Sequence, residues 1–183
     1  MSQFALKNVR LSFPDIFTAS EKFGNYGAQL IISNKADVAK IEAEMLRVAT
    51  EKWGAKGEAY LKSAKAANKV CLKDGDTKAE FDGYAGNMIL SANNSQRPPV
   101  VNRDRSPITE ADGIVYSGCY VNAIVKIWAQ DNSFGKRINA SLDGIQFFKD
   151  GENFGGGGVA SPDMFDDLSD GADDGFDDED SLV

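Results

Sequence analysis

Residues 116–128 are Tyr116-Ser117-Gly118-Cys119-Tyr120-Val121-Asn122-Ala123-Ile124-Val125-Lys126-Ile127-Trp128. Successive side chains of an extended chain point to opposite faces, so odd and even positions form two sets. Ser117, Cys119, Val121, Ala123, Val125 and Ile127 are small and apolar enough to line a barrel interior. Tyr116, Gly118, Tyr120, Asn122, Ile124, Lys126 and Trp128 place three rings, an amine and an amide on the other face. A strand over 116–129 follows.

Downstream, 138–148 is a second strand, joined to the first through Asn132, Ser133 and Gly135, which are hairpin-loop residues. Upstream, strands are predicted at 4–13, where Pro14 should end the run, at 25–33 and at 84–93. Between the second and third lies helical spacing. Val38, Ile41, Met45 and Val48 recur at three- and four-residue intervals, Asn34 with Asp37 marks a start, and Gly54 marks a stop. Residues 58–68 have the composition of a second, more exposed helix. The connection 97–107, with Pro98, Pro99 and Pro107, excludes a central strand. The expected fold is mainly β with inserted helices (α+β), a five-stranded barrel of the oligonucleotide-binding (OB) type.

The chain has 183 residues and a formal charge of −8, unevenly spread. Residues 161–183 hold ten acids and no base, leaving 18 acids against 20 bases before them. A slightly basic body therefore precedes a strongly acidic tail. Gly155 to Gly158 form a hinge, and the apolar residues beyond them are too sparse to offset the entropy of ordering. The expected organisation is a folded domain over 1–154 and a disordered acidic tail over 155–183.

Composition narrows the chemistry. There is no histidine, and Cys71 and Cys119 alone cannot build a disulfide framework or a thiolate zinc cage. No cofactor or metal is expected, and the two thiols suit a reduced cytosolic setting. No apolar run reaches the roughly 18 residues of a membrane span.

Rings interleaved with cations suit single-stranded nucleic acid, whose bases stack on flat rings while its phosphates meet amines and guanidinium groups. Tyr116, Tyr120, Trp128 and Phe134 are the stacking candidates. Arg97, Arg103, Arg105, Lys126, Lys136 and Arg137 are the phosphate candidates, with Phe134, Lys136 and Arg137 forming a clamp at a loop tip. The same aromatic face would equally serve to pack beneath helices or against a second subunit. The tail, with Asp173, Asp174, Phe176, Asp177, Asp178, Glu179 and Asp180, is read as a tethered polyanion that competes for the basic groove and recruits partner proteins.

Two rivals belong to other classes. A protein-interaction module or DNA mimic would use the acids against a host or replication protein, although a mimic should also carry acids on its folded body. A carboxylate–metal nuclease would draw on Asp74, Asp76, Glu80 and Asp82, residues that equally suit a turn.

The sequence resembles a phage-encoded single-stranded-DNA-binding protein family with an OB fold. The resemblance is carried by Leu11-Ser12-Phe13-Pro14 with Phe17, by Arg97-Pro98 with Val100, by Tyr116 to Ala123, and by Leu142-Asp143-Gly144-Ile145-Gln146. It implies a non-enzymatic protein that coats single-stranded DNA in phage replication or recombination, in the cytoplasm of the infected bacterial host. Its implied partners are replication or recombination proteins reached through the tail, and further copies of itself on DNA. Many tails of such proteins end in an aromatic residue, whereas this one ends Ser181-Leu182-Val183.

Overall fold

The structure is a computed structural model that describes residues 2–154 and 165–169. Seven strands form one sheet: β1 (Gln3–Asp15), β2 (Tyr26–Ile32), β3 (Leu72–Asp74), β4 (Met88–Asn94), β5 (Val100–Val101), β6 (Tyr120–Asn132) and β7 (Gly135–Lys149). Neighbours run β3-β4-β2-β1-β6-β7-β5, and β7 returns to β4 through the parallel pair Asn93–Ser141. That pairing closes β1, β2, β4, β6 and β7 into a five-stranded barrel, with β3 and β5 as short edge additions. Strand meander, single parallel closure and five-strand count are those of an OB barrel.

The interior is the apolar parity set expected of residues 117–127 except Ser117, which precedes β6 and is half-buried at a cavity with Phe13 and Phe154. Cys119, Val121, Ala123, Val125 and Ile127 are fully buried, facing Leu6 and Leu11 of β1, Leu30 and Ile32 of β2, Leu90 of β4 and Leu142 of β7. Leu6 and Val9 both point inward although three residues apart. The pairing with β6 slips between them, with Asn8 at φ 55, a β-bulge that resets the parity. The Asn8 amide freed by the slip donates to Asn122 Oδ1 at 3.0 Å.

Helices α1 (Lys35–Trp53) and α2 (Gly57–Ala66) lie between β2 and β3. The Asn34 side-chain Oδ1 accepts from the Ala36 and Asp37 amides, and Gly54 ends α1, as the sequence indicated. Ile41, Met45, Val48 and Ala49 form the buried stripe of α1, which packs on β6 and β2.

Three boundaries differ from expectation. Pro14 does not stop the first strand. The β1–β2 pairing shifts between Ser12 and Asp15, so the ring that cannot donate to a ladder sits at an irregularity. Residues 84–87 are turns before β4, and β6 begins at Tyr120 rather than 116 and runs on to Asn132. The proposed tail residues Asp173, Asp174, Phe176, Asp177, Asp178, Glu179 and Asp180 lie outside the described residues.

Candidate nucleic-acid interface

The outward residues of β2 and β4 alternate with the barrel lining. Gly27, Gln29 and Ile31 stand opposite Asn93, Ser91 and Ile89, and the Gln29 amide donates to Ser91 Oγ at 3.0 Å. Lys73 of β3 pairs opposite Ile89. Gln29, Ile89, Lys73, Ser91 and Asn93 line a depression whose two adjoining hollows share Lys73.

At one end of the depression, Phe13, Phe81 and Tyr84 form an edge-to-face cluster. Ring centroids are 5.1 Å apart for Phe13–Phe81 and 5.4 Å for Phe81–Tyr84. Phe13 is 53% exposed although Leu11 and Ser12 just before it are buried. Tyr84 is buried, with its hydroxyl 3.2 Å from Ser12 Oγ, and burial pushes its ionisation upward. In the middle lies Lys73, shared between the Phe13–Phe81–Tyr84 side and a recess lined by Asn25, Ser91, Trp128, Arg137 and Asn139. Beyond Trp128 the depression continues past Lys126, Asn94 and Ser141.

The charges along this path are arranged for an anion. Burial lowers the Lys73 pKa, and the positive charges of Lys78 and Arg137 lower it further. A bound phosphate would relieve both effects. Among the described residues, none of Lys73, Lys78, Lys126 and Arg137 makes an ion pair. Beyond Phe13 and Phe81, in the direction away from Lys73, Asp15, Glu80 and Asp82 line the next cavity and turn the potential negative.

The structure brings three of the predicted residues into the depression: Trp128, Lys126 and Arg137. Phe134 is 83% exposed in the two-residue turn between β6 and β7, beside Lys136, whose Nζ lies over the Tyr60 ring at 4.8 Å. Arg97 is exposed in the connection that follows Asn94. Arg103 and Arg105 lie elsewhere, in the loop after β5, which pairs with Ile145 and Gln146 of β7. Arg103 Nη1 donates to the Phe148 carbonyl at 3.0 Å, and Arg105 is exposed with φ 71.

Tyr116 and Tyr120 hold the end of the folded chain. Tyr116 precedes β6, and its hydroxyl donates to Asp150 Oδ1 at 3.0 Å and the Gly151 carbonyl at 2.9 Å. Burial first, and the Asp150 carboxylate after it, raise its pKa. Residues 150–154 run back as a strap across Gly118. Phe154 N–H donates to the Ser117 carbonyl at 2.9 Å, and Arg10 Nη2 donates to the Glu152 carbonyl at 2.9 Å. The Arg10 guanidinium lies 4.1 Å from the Phe154 ring centroid and 5.3 Å from that of Tyr120. Eight residues of extended strand, about 26 Å, separate Tyr120 from Trp128. The expected single aromatic face is thus divided into a strap receptor and a groove wall.

Two of the four acids weighed for metal chemistry, Asp74 and Asp76, do structural work. Asp74 Oδ1 accepts the Asp76 amide, and Asp76 Oδ1 accepts the Gly86 amide. Among the described residues no three potential metal ligands converge.

Sequence reasoning missed Phe13, Phe81, Lys73 and Gln29. Lys73 lies in none of the strands expected from the sequence, yet it and its buried neighbour Leu72 both pair with β4. The period-two match of Gly27-Gln29-Ile31 with Ile89-Ser91-Asn93 was the available signal for this floor.

A family model described as the single-stranded-DNA-binding protein of Enterobacter phage Enc34 matches residues 2–177. The chain belongs to the Enc34 single-stranded-DNA-binding protein family. Protein p50 of Acyrthosiphon pisum secondary endosymbiont phage 1 is 48% identical over 172 residues, 90% of this chain and 92% of the relative. The solved structure of the bacteriophage Enc34 single-stranded-DNA-binding protein is 32% identical, covers 90% of each chain and superposes with a TM-score of 0.69. The same phage protein in complex with single-stranded DNA gives 27% identity, 84% and 89% coverage and a TM-score of 0.68. The Enc34 family barrel and the barrel described here are therefore the same fold.

Proposed function

We propose that this protein binds single-stranded DNA with little sequence preference, in the depression running from Phe13 and Phe81 past Lys73 to Trp128. The observation that carries the reading is the continuity of rings and unpaired cations over the outward face of β2, β4, β6 and β7, in a family whose Enc34 member has been solved with single-stranded DNA. Bases stack on Phe13, Phe81 and Trp128, and on Phe134 at the hairpin. Phosphates meet Lys73, Lys78, Lys126, Lys136, Arg137 and Arg97. Gln29, Asn93 and Asn139 offer amides to base edges without imposing one sequence. Tyr116 and Tyr120 are removed from the stacking set because their contacts belong to the strap. Arg103 and Arg105 lie outside this path.

The protein coats strands exposed during phage DNA replication or recombination in the host cytoplasm. Residues 155–183 act as a tethered competitor for the cations of the groove, and when displaced by DNA they are free for replication or recombination proteins.

Tryptophan-fluorescence titration with a thymidine oligomer and a duplex of equal length tests the reading. The oligomer should quench and the duplex should not, with Trp128→Phe removing most of the change and leaving the signal of Trp53. Trp128→Ala should weaken binding roughly 5- to 150-fold, from about 1–3 kcal/mol of stacking. Lys73→Gln and Arg137→Gln should each reduce the slope of log K against log salt by about 0.7. An unchanged slope in both variants refutes the phosphate path. A chain ending at Phe154 should bind more tightly and discriminate less against duplex; unchanged affinity would dismiss the competitor role of the tail.

A further inference from the structure

We infer that the helical insertion is part of the DNA-binding surface: Lys52 and Lys69 add phosphate contacts beside the β6–β7 hairpin, while Trp53 and Tyr60 hold its Phe134 and Lys136 where a strand leaving the groove meets them. This rests on the single-strand reading of the groove.

The hairpin is tied to the helices on both of its strands. On the β6 side, Trp53 Nε1 donates to Asp131 Oδ2 at 2.9 Å. On the β7 side, the Ile138 amide donates to the Lys69 carbonyl at 3.1 Å, and Lys136 lies over the Tyr60 ring. Tyr60 is itself fixed by Trp53, edge-on with centroids 5.6 Å apart. A two-residue turn held this firmly can present Phe134 to solvent at little further cost in ordering when a base stacks on it.

The surrounding charge is that of a phosphate site. Lys136 lies 3.7 Å from Asp131, and the Asp131 carboxyl is held low by the Trp53 hydrogen bond, with further help from Lys136 and Lys52. Lys69 Nζ reaches the turn itself, 3.5 Å from where a Cβ on Gly135 would stand. Lys136 and Lys52 beside the Asp131 carboxylate, with Lys69 at Gly135, leave net positive charge beside an exposed ring.

Continuity with the groove favours DNA over a protein as the occupant. Arg137 follows Lys136 and Val70 follows Lys69, and both line the recess beside Trp128. A strand passing Trp128 and Arg137 meets the hairpin next.

The full-length protein is titrated with thymidine oligomers of about 6 and about 20 nucleotides, spanning the usual range of OB site sizes. For the longer oligomer, Lys52→Gln/Lys69→Gln should reduce the salt slope by about 1.4, and Phe134→Ala should cost at least fivefold in affinity. Trp53→Phe, which keeps the ring but loses the bond to Asp131, should weaken the longer oligomer alone and lower its slope. Lys52→Gln/Lys69→Gln and Trp53→Phe should leave the shorter oligomer unaffected. Equal effects on both lengths, or none on either, overturn the inference when Trp128→Ala still weakens both. Failure of Trp128→Ala and Lys73→Gln to weaken either length instead overturns the groove.

Discussion

Gly118→Ala isolates the strap from the rest of the domain. Gly118 sits at φ +111, which disfavours an L-residue, and a Cβ there would overlap the Glu152 carbonyl oxygen. Neither backbone can yield without separating the two segments, so the expected response is release of residues 150–154. Release forfeits hydrogen bonds from Arg10 to Glu152, from Phe154 to Ser117 and from the Tyr116 hydroxyl, at about 1 kcal/mol each. It also forfeits the Arg10–Phe154 cation–π contact, about 1 kcal/mol, and the half-burial of Phe154, about 1 kcal/mol. Freeing five residues returns at least about 1 kcal/mol of backbone entropy each. The opposing contributions nearly cancel, so the barrel stays folded with a net loss of no more than about 2 kcal/mol, or about 2–8 °C in Tm. Hydrogen exchange reads the strap directly: the Phe154 amide should be protected in the parent and unprotected in the variant. Gly113→Ala is the control, because Gly113 also has positive φ, +65, but open space around its Cα. It should lose about 1 kcal/mol and keep Phe154 protected. A Phe154 amide that exchanges equally slowly in Gly118→Ala and in the parent refutes the reasoning, as does loss of the whole fold.

Other perturbations address single terms. Burial pushes the Cys71 thiol from 9.0 up to about 12, so the unfolded chain ionises first and stability falls as pH rises from 9 toward 12, by about 1.4 kcal/mol per unit. Alkaline denaturation of Cys71→Val should lack this component; identical curves would contradict it. Asn34→Ala removes the α1 cap and should cost about 1 kcal/mol in urea unfolding. Leu142→Ala, at a fully buried barrel position, should cost about 2–5 kcal/mol.

The barrel was legible because β6 keeps strict alternation over its buried residues and α1 carries both a clear apolar stripe and a capping Asn34. Other features depend on partners distant in sequence. Tyr116 looks identical to a stacking residue until residues 150–151 are placed against its hydroxyl, and Arg10 acquires its role only from Glu152, Tyr120 and Phe154. Lys73 belongs to a three-residue strand, too short for periodicity to reveal. Phe13 ends the strand expected over 4–13, and the irregularity between Ser12 and Asp15 accompanies its exposed ring, which strand prediction alone does not show. Strand parity and hairpin position are enough to put Trp128, Lys126 and Arg137 on one outward face, and the structure gathers them in one depression.

The barrel closes where β4 meets β7, through the parallel pair Asn93–Ser141, while the junctions between the other neighbouring barrel strands are longer antiparallel ladders. Asn94 reinforces this joint by donating from its side chain to the Leu142 carbonyl at 3.1 Å. Asn93 and Ser141 also lie in the proposed DNA path, so a bound strand crosses the barrel's weakest seam and braces it. The free barrel should breathe there first, and occupancy should suppress that opening. Ligand binding and mechanical closure would then be a single event, with the protein stiffest only while coating a strand.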